Sequence, residues 1–127
     1  MEERRIEDEA SRDGPDDWPS DWLRATLAVA ALRVLESGPS YGYAVIEGLA
    51  AAGFGRIRGG TLYPLLSRHE QAGLVTTEWR PGTTGPGRKY FTLTDAGRSA
   101  LDRQREDWAR FSRLVAEHLT PGRTPPP

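Results

Sequence analysis

The hydrophobic repeat of this chain changes period twice, and that change restricts the available folds more than any other feature. From Ser20 the apolar residues Leu23, Leu27, Ala30, Ala31, Val34 and Leu35 recur at three- and four-residue spacing until "SGPS" interrupts them, which predicts a first helix. Ser40 is a candidate cap for a second, "YGYAVIEGLAAAG", with Ile46, Leu49 and Ala50 as its short apolar face and Gly53 as its stop. The connector "FGRIRGG" is too rich in glycine for a long helix. A third helix runs through "TLYPLLSRHEQAG" to Gly73, with Thr61 as candidate N-cap. Pro64 falls in its first turn or just beyond, where the missing N–H costs little. After Gly73 the period drops to two: Val75, Thr77 and Trp79 share one face of "LVTTEWR", and Phe91 and Leu93 alternate with Tyr90 and Thr92 in "KYFTLT". Between them "PGTTGPGR" admits no regular structure, so the two strands form a hairpin with a long tip. Helical spacing then returns from about Ala96 to His118, with Thr94 or Asp95 as the cap.

Three short helices, a hairpin and a long last helix make a mainly α chain with a small β-hairpin: a winged helix-turn-helix with a long C-terminal dimerisation helix. At 127 residues the chain is long enough for one small core. The expected organisation is an acidic, disordered arm over residues 1–17, a winged helix-turn-helix over 18–94, the dimerisation helix over 95–119 and a disordered, proline-rich tail over 120–127.

The chain has no cysteine, so disulfides and thiolate metal sites are excluded. The start "MEERRIEDEASRDGPDD" lacks the apolar region of a signal peptide, and "LAVAALRVL" is too short to span a bilayer. A cytoplasmic protein without membrane partners is expected. The net charge of −1 hides an asymmetry. Residues 1–21 hold nine acids against three arginines, net −6, which leaves +5 on the remainder. Seven basic residues lie between Phe54 and Arg98 against three acids. An acidic tail on a basic module suits a nucleic-acid partner, and an ordinary solvated tail suits the same numbers.

In a winged helix-turn-helix the third helix enters the DNA major groove and the wing reaches the backbone or the neighbouring groove. Leu62, Leu65, Leu66, Leu74, Phe91 and Leu93 are core candidates with no contact role. The polar side of helix three offers Thr61, Tyr63, Pro64, Ser67 and Arg68, preceded by Arg58 and by Gly60, whose lack of a side chain lets backbone approach a phosphate. Tyr63 is assigned a phosphate contact rather than a core role, since tyrosine hydroxyls are ordinary phosphate donors. Arg68 has an alternative in pairing with Glu70 or Glu47. Arg88 and Lys89, with no acid adjacent in sequence, are phosphate candidates in the wing. Tyr41 either packs on helix three or touches the DNA backbone, and Gly42 is best explained by close packing.

Four blocks, "SYGY" at 40–43, "GGTLYPLLSR" at 59–68, "GLV" at 73–75 and "GPGRKYFTLTDAG" at 85–97, resemble in order and spacing the PadR family of bacterial transcriptional regulators. The resemblance covers roughly Leu23 to Leu119, and the single C-terminal helix is similar to the short subfamily. It implies a homodimeric transcription factor, usually a repressor, that binds a near-palindromic operator on double-stranded DNA and often releases it on binding a small molecule or another signal. Phe91 stands where family members often carry tyrosine, and the arm before Trp18 lies outside the pattern.

The last helix carries Leu101, Trp108, Phe111, Leu114, Val115 and Leu119 at near-heptad spacing, more apolar surface than a small domain can cover, so a second copy is the expected cover. Trp18 and Trp22 are assigned to the same interface, which fits the family's habit of packing its first helix on the partner's last. Trp108 matches the position where some multidrug-sensing members place facing indoles around flat ligands; its other reading is a plain interface anchor. An enzyme finds no support: His69 and His118 are the two histidines, "GTTGPGRK" lacks the ending and the strand-to-helix setting of a phosphate loop, and no metal-ligand spacing or cofactor motif occurs. The alternative function is a winged-helix adaptor that contacts proteins and not DNA.

Overall fold

Where the sequence alternates a sheet forms, with one strand more than the alternation predicts. The computed structural model describes residues 18–82 and 85–122. Within them lie α1 (Ser20–Glu36), β1 (Ser40–Tyr41), α2 (Gly42–Ala51), α3 (Gly59–Gln71), β2 (Val75–Arg80), β3 (Arg88–Leu93) and α4 (Asp95–Leu119). The three strands run antiparallel in the order β1-β3-β2. This is the winged helix fold. The acidic arm and residues 123–127 of the proline-rich tail lie outside the described residues, as do Thr83 and Thr84 of the wing tip.

The extra strand corrects the expectation for Ser40. Instead of capping α2 it pairs with Phe91, and Tyr41 pairs with Tyr90. Two residues are too few to alternate, so the strand leaves no periodic signal. The wing is thereby anchored to the body on both edges of β3, and α2 starts directly from the sheet.

Both glycine stops operate as expected. Gly53 has φ +104° and Gly73 φ +75°, the left-handed region where a side chain is strained. At the end of α3 the Gly73 N–H donates to the Glu70 carbonyl and the Leu74 N–H to the His69 carbonyl. Gly53 and Phe54 repeat that pattern on Ala50 and Leu49. These are Schellman closures, which satisfy carbonyls that the helix leaves open. Thr94, not Asp95, caps α4. Its hydroxyl oxygen accepts from the Gly97 N–H at 3.0 Å and donates to the Gly73 carbonyl at 2.7 Å, tying the end of α3 to the start of α4.

The core is built from Leu27, Ala31, Leu32 and Leu35 of α1, Val45 and Leu49 of α2, Leu62 and Leu66 of α3, Val75, Phe91 and Leu93 of the sheet, and Leu101 of α4. In α2 Val45 joins the expected Leu49 in the core and Ile46 is half-buried against it, while Ala50 is exposed, which corrects the expected face at that position. Ile57 in the connector is also buried. Leu65 and Leu74 are half-buried at its edge.

Leu101 requires a correction. It is 2 % exposed within its own chain and therefore is not available to a partner. Gly97 allows the reason: a Cβ there would run into the Leu74 carbonyl, so α4 begins in close contact with the sheet side of the body and its first two turns are core. Past Arg105, whose guanidinium bonds both Glu36 carboxylate oxygens at 2.9 and 3.0 Å, the helix leaves the body. Phe111, Leu114, Val115 and Leu119 are exposed there, and Trp108 is half-buried with its ring edge-on to Phe111 at 5.9 Å. Trp22 is exposed at the start of α1; Trp18 stacks at a tilt beside it and donates its indole N–H to the Gly53 carbonyl at 2.8 Å. Among the described residues no helix is long and apolar enough to cross a membrane.

Candidate nucleic-acid interface

Helix α3 divides into two faces. Leu62, Leu66 and His69, spaced by four and three, are buried, whereas Gly60, Thr61, Tyr63, Pro64, Ser67 and Arg68 are all exposed. The helix is capped three residues earlier than expected, so Thr61 is not its cap. Arg58 takes that position in extended conformation without a side-chain cap bond, and Gly59 and Gly60 form the first turn. With neither side chain nor cap over it, that turn presents uncapped backbone N–H groups. Pro64 is the sixth residue of the helix, where its ring removes the donor that would have answered the Gly60 carbonyl.

Tyr63 is held by glycines. A Cβ on Gly42 would collide with its ring and one on Gly59 would come within 3.1 Å of it, so the ring lies across the starts of α2 and α3 with its side still exposed. Close packing thus accounts for Gly42. Gly60 has nothing within 4 Å of the direction a side chain would take, so no neighbour in this chain requires glycine there.

The wing carries two separate sets of cations. On the outer side Arg88 lies over the Tyr41 ring and Arg80 over Tyr90, each 4.4 Å from the centroid, and the two tyrosines meet edge-on at 5.4 Å. Arg80 is further held by Glu78 at 2.7 Å. On the inner side Lys89 Nζ stands 3.5 Å from a Glu70 carboxylate oxygen of α3, and the other carboxylate oxygen accepts the Thr77 hydroxyl at 2.7 Å. The Thr77 bond is the main reason that the Glu70 carboxyl sits below its ordinary range. Lys89 therefore has an acid beside it in space, though none in sequence. Arg68 pairs with neither Glu70 nor Glu47; it and Arg58 hold no ion pair among the described residues.

These parts border one open groove of about 470 Å³. Tyr41, Gly42, Tyr43, Tyr63 and Ser67 line it from the body, and Trp79, Gly87, Arg88, Lys89 and Phe91 from the wing. Thr61, Pro64, Arg58 and Arg68 lie outside it on the exposed surface. Tyr43, Glu70 and Trp79 are the residues that sequence reading did not single out. Glu70 was recoverable, since it follows Tyr63 and Ser67 at helical spacing; the pairing of its carboxylate with Lys89 needed the fold.

His69 performs no surface role. It is 8 % exposed, and its Nε2 lies 2.8 Å from the Ala28 carbonyl of α1, where a ring N–H donates. Burial is the main cause that lowers its pKa below the ordinary value.

The fold that carries this helix and wing is shared with solved transcriptional regulators. The family profile described as "Transcriptional regulator PadR-like family" matches residues 31–103. Transcriptional regulator Rv3488 of Mycobacterium tuberculosis is 32 % identical over 95 residues, covering 75 % of this chain and 87 % of that protein. An uncharacterized 37.1 kDa protein in transposon TN4556 of Streptomyces fradiae is 36 % identical over 90 residues, 71 % of this chain but 25 % of that protein's length. The crystal structure of a PadR family transcriptional regulator from Eggerthella lenta is similar with a TM-score of 0.72 and 35 % identity, covering 80 % of this chain and 88 % of that one. A PadR-like transcription factor from Bacteroides fragilis gives a TM-score of 0.66 and 33 % identity, covering 80 % and 96 %. The profile match runs from within α1 through the wing into α4, and the chain belongs to the PadR-like family of transcriptional regulators.

Proposed function

We propose that this transcriptional regulator binds DNA sequence-specifically as a homodimer, acts as a repressor, and is released by a small molecule or another signal. Residues 18–94 form the DNA-binding unit, and α4 beyond Leu101 supplies the dimer contact through Trp108, Phe111, Leu114, Val115 and Leu119, with Trp18 just before α1 and Trp22 within it. The observation that carries DNA binding is the two-faced α3: its buried side holds Leu62, Leu66 and His69, and on its exposed polar side Arg68 has no ion pair among the described residues. Ser67 and Arg68 read bases or phosphates, Arg58, Gly60, Thr61 and Tyr63 receive a phosphate at the helix start, and Tyr41, Arg88 and Lys89 hold the strand at the wing.

The test is binding to random and to genome-selected duplexes across a salt series. A DNA-binding regulator loses affinity steeply with salt and prefers its selected fragments. An adaptor that contacts only proteins has no use for this surface. Retention on neither heparin nor duplex DNA supports that alternative.

A further inference from the structure

Among the described residues of the wing, Trp79 is the large apolar side chain that stays mostly exposed. The β2–β3 register sets Val75 opposite Leu93, Thr77 opposite Phe91 and Trp79 opposite Lys89, so all six share the sheet face that looks toward α3. Burial falls along that face. Val75, Leu93 and Phe91 are core, Thr77 is tied to Glu70, and Trp79 lies past the point where α3 supports the sheet, with 71 % of its surface exposed. It belongs to neither α1 nor α4, whose exposed tryptophans and phenylalanine already have a proposed cover. A single exposed apolar side chain needs no partner on that ground alone, but this one borders the groove that Tyr63, Ser67, Arg88 and Lys89 also line.

We propose that Trp79 packs against a deoxyribose of one DNA strand, as a non-ionic contact between two phosphate seats. One seat is at the wing, where Arg88 from the outer face of β3 and Lys89 from its inner face border the same groove. The other is the Tyr63 and Ser67 side of the same groove, which Trp79 borders. Cations at the groove select a polyanion, and an uncharged ring opposite Lys89 in the same groove fits the apolar sugar that separates successive phosphates. Tryptophan gives a large contact area for little ordering, which suits a positioning contact. The contact carries no base information, so Trp79 sets affinity and the seating of the wing, not sequence preference. This inference rests on the DNA-binding reading above.

The experiment follows labelled duplex DNA by anisotropy and the protein by tryptophan fluorescence, in wild type, Trp79→Ala and Trp79→Phe. The chain has four tryptophans, and the wild-type minus Trp79→Phe difference isolates the signal of Trp79. Trp79→Ala is expected to bind selected and random duplexes about tenfold more weakly (about 1.4 kcal/mol). The salt slope should be unchanged, because no cation is removed. Trp79→Phe should keep most of the affinity, and DNA should shield the Trp79 signal from acrylamide. Wild-type affinity in Trp79→Ala, or a Trp79 signal that stays open to acrylamide in the complex, overturns the inference and leaves the indole to a protein partner. Should Trp79→Ala lose its fold, Trp79→Phe and the shielding measurement decide alone. Absence of DNA binding by the wild type defeats the underlying reading instead, and the anisotropy channel reports that separately.

Discussion

Gly42 and Gly60 are the same residue type with opposite demands. Gly42→Ala drives a Cβ into the Tyr63 ring, so it should destabilise the fold by about 1–3 kcal/mol, as overpacking does. Gly60→Ala meets open space in a helix and should stabilise it by roughly 0.5–1 kcal/mol. If the proposed phosphate approach is right, Gly60→Ala also weakens DNA binding while raising the denaturation midpoint. Chemical denaturation and duplex titration of both variants check this, and unchanged DNA affinity in Gly60→Ala removes it from the interface. His69 adds a pH dependence. Its folded pKa lies below the ordinary histidine value of 6.5, chiefly because of burial, so the unfolded chain takes up the proton first. Stability is therefore full above that value and is lost as pH falls from about 6.5 toward the lower folded pKa. Glu70, also depressed but ordinarily at 4.5, contributes only in a more acid range. Urea midpoints at pH 7.5 and pH 5.5, about one unit either side of the histidine value, should fall with acid in the wild type and stay level in His69→Leu. An equal fall in both would place the titration elsewhere.

At the scale of elements, the wing and α3 act as one unit because Glu70 ties them together through Thr77 and Lys89. Replacing Arg88 and Lys89 with Ala together should weaken binding to all sequences and reduce the log–log salt slope by roughly one to two per half-site, with preference retained. Thr94→Ala removes both the cap of α4 and the bond to Gly73, and should cost about 1–2 kcal/mol. Measured slopes and melting curves decide each. Period and punctuation made the helices legible in the sequence: Gly53, Gly73 and Thr94 end or begin elements by local chemistry alone. β1 was not legible, because a strand of two residues is defined by its partner and not by its pattern. The start of α3 was misjudged for a related reason, since its cap position holds Arg58 with no side-chain bond, and no residue type announces such a start. Outward polar positions of α3 followed from periodicity, but the pairing of Lys89, the seat of the Tyr63 ring and the burial of Leu101 arise from contacts across 19, 21 and many more residues. Leu101 in particular reads as part of an even apolar stripe, and only the packing of Gly97 on Leu74 divides that stripe into core and overhang.

For the whole molecule the overhanging half of α4 is the deciding surface. Phe111, Leu114, Val115 and Leu119 lie on a helix that the other described residues leave exposed, so the proposed dimer explains why an apolar face survives there. Phe111→Glu with Leu114→Glu should yield a folded monomer with unchanged helix content by circular dichroism and greatly weakened DNA binding. Sedimentation showing wild-type mass in that variant would refute this interface. In the proposed ligand response Trp108 is the contact for a flat molecule, and only a ligand with unequal affinity for two helix spacings could release DNA. Titration of planar cations against Trp108→Phe and wild type should separate a sensing role, in which release is lost, from an anchoring one. The central claim, that paired copies of α3 read DNA through their polar faces, is tested most directly by sequencing the genomic fragments that purified protein retains, with Arg68→Ala run alongside. The account predicts a near-palindromic element with half-site centres about 34 Å apart, one helical turn, and its loss from the fragments retained by Arg68→Ala. Fragments without a symmetric element, or an Arg68→Ala set identical to the wild type, would contradict it.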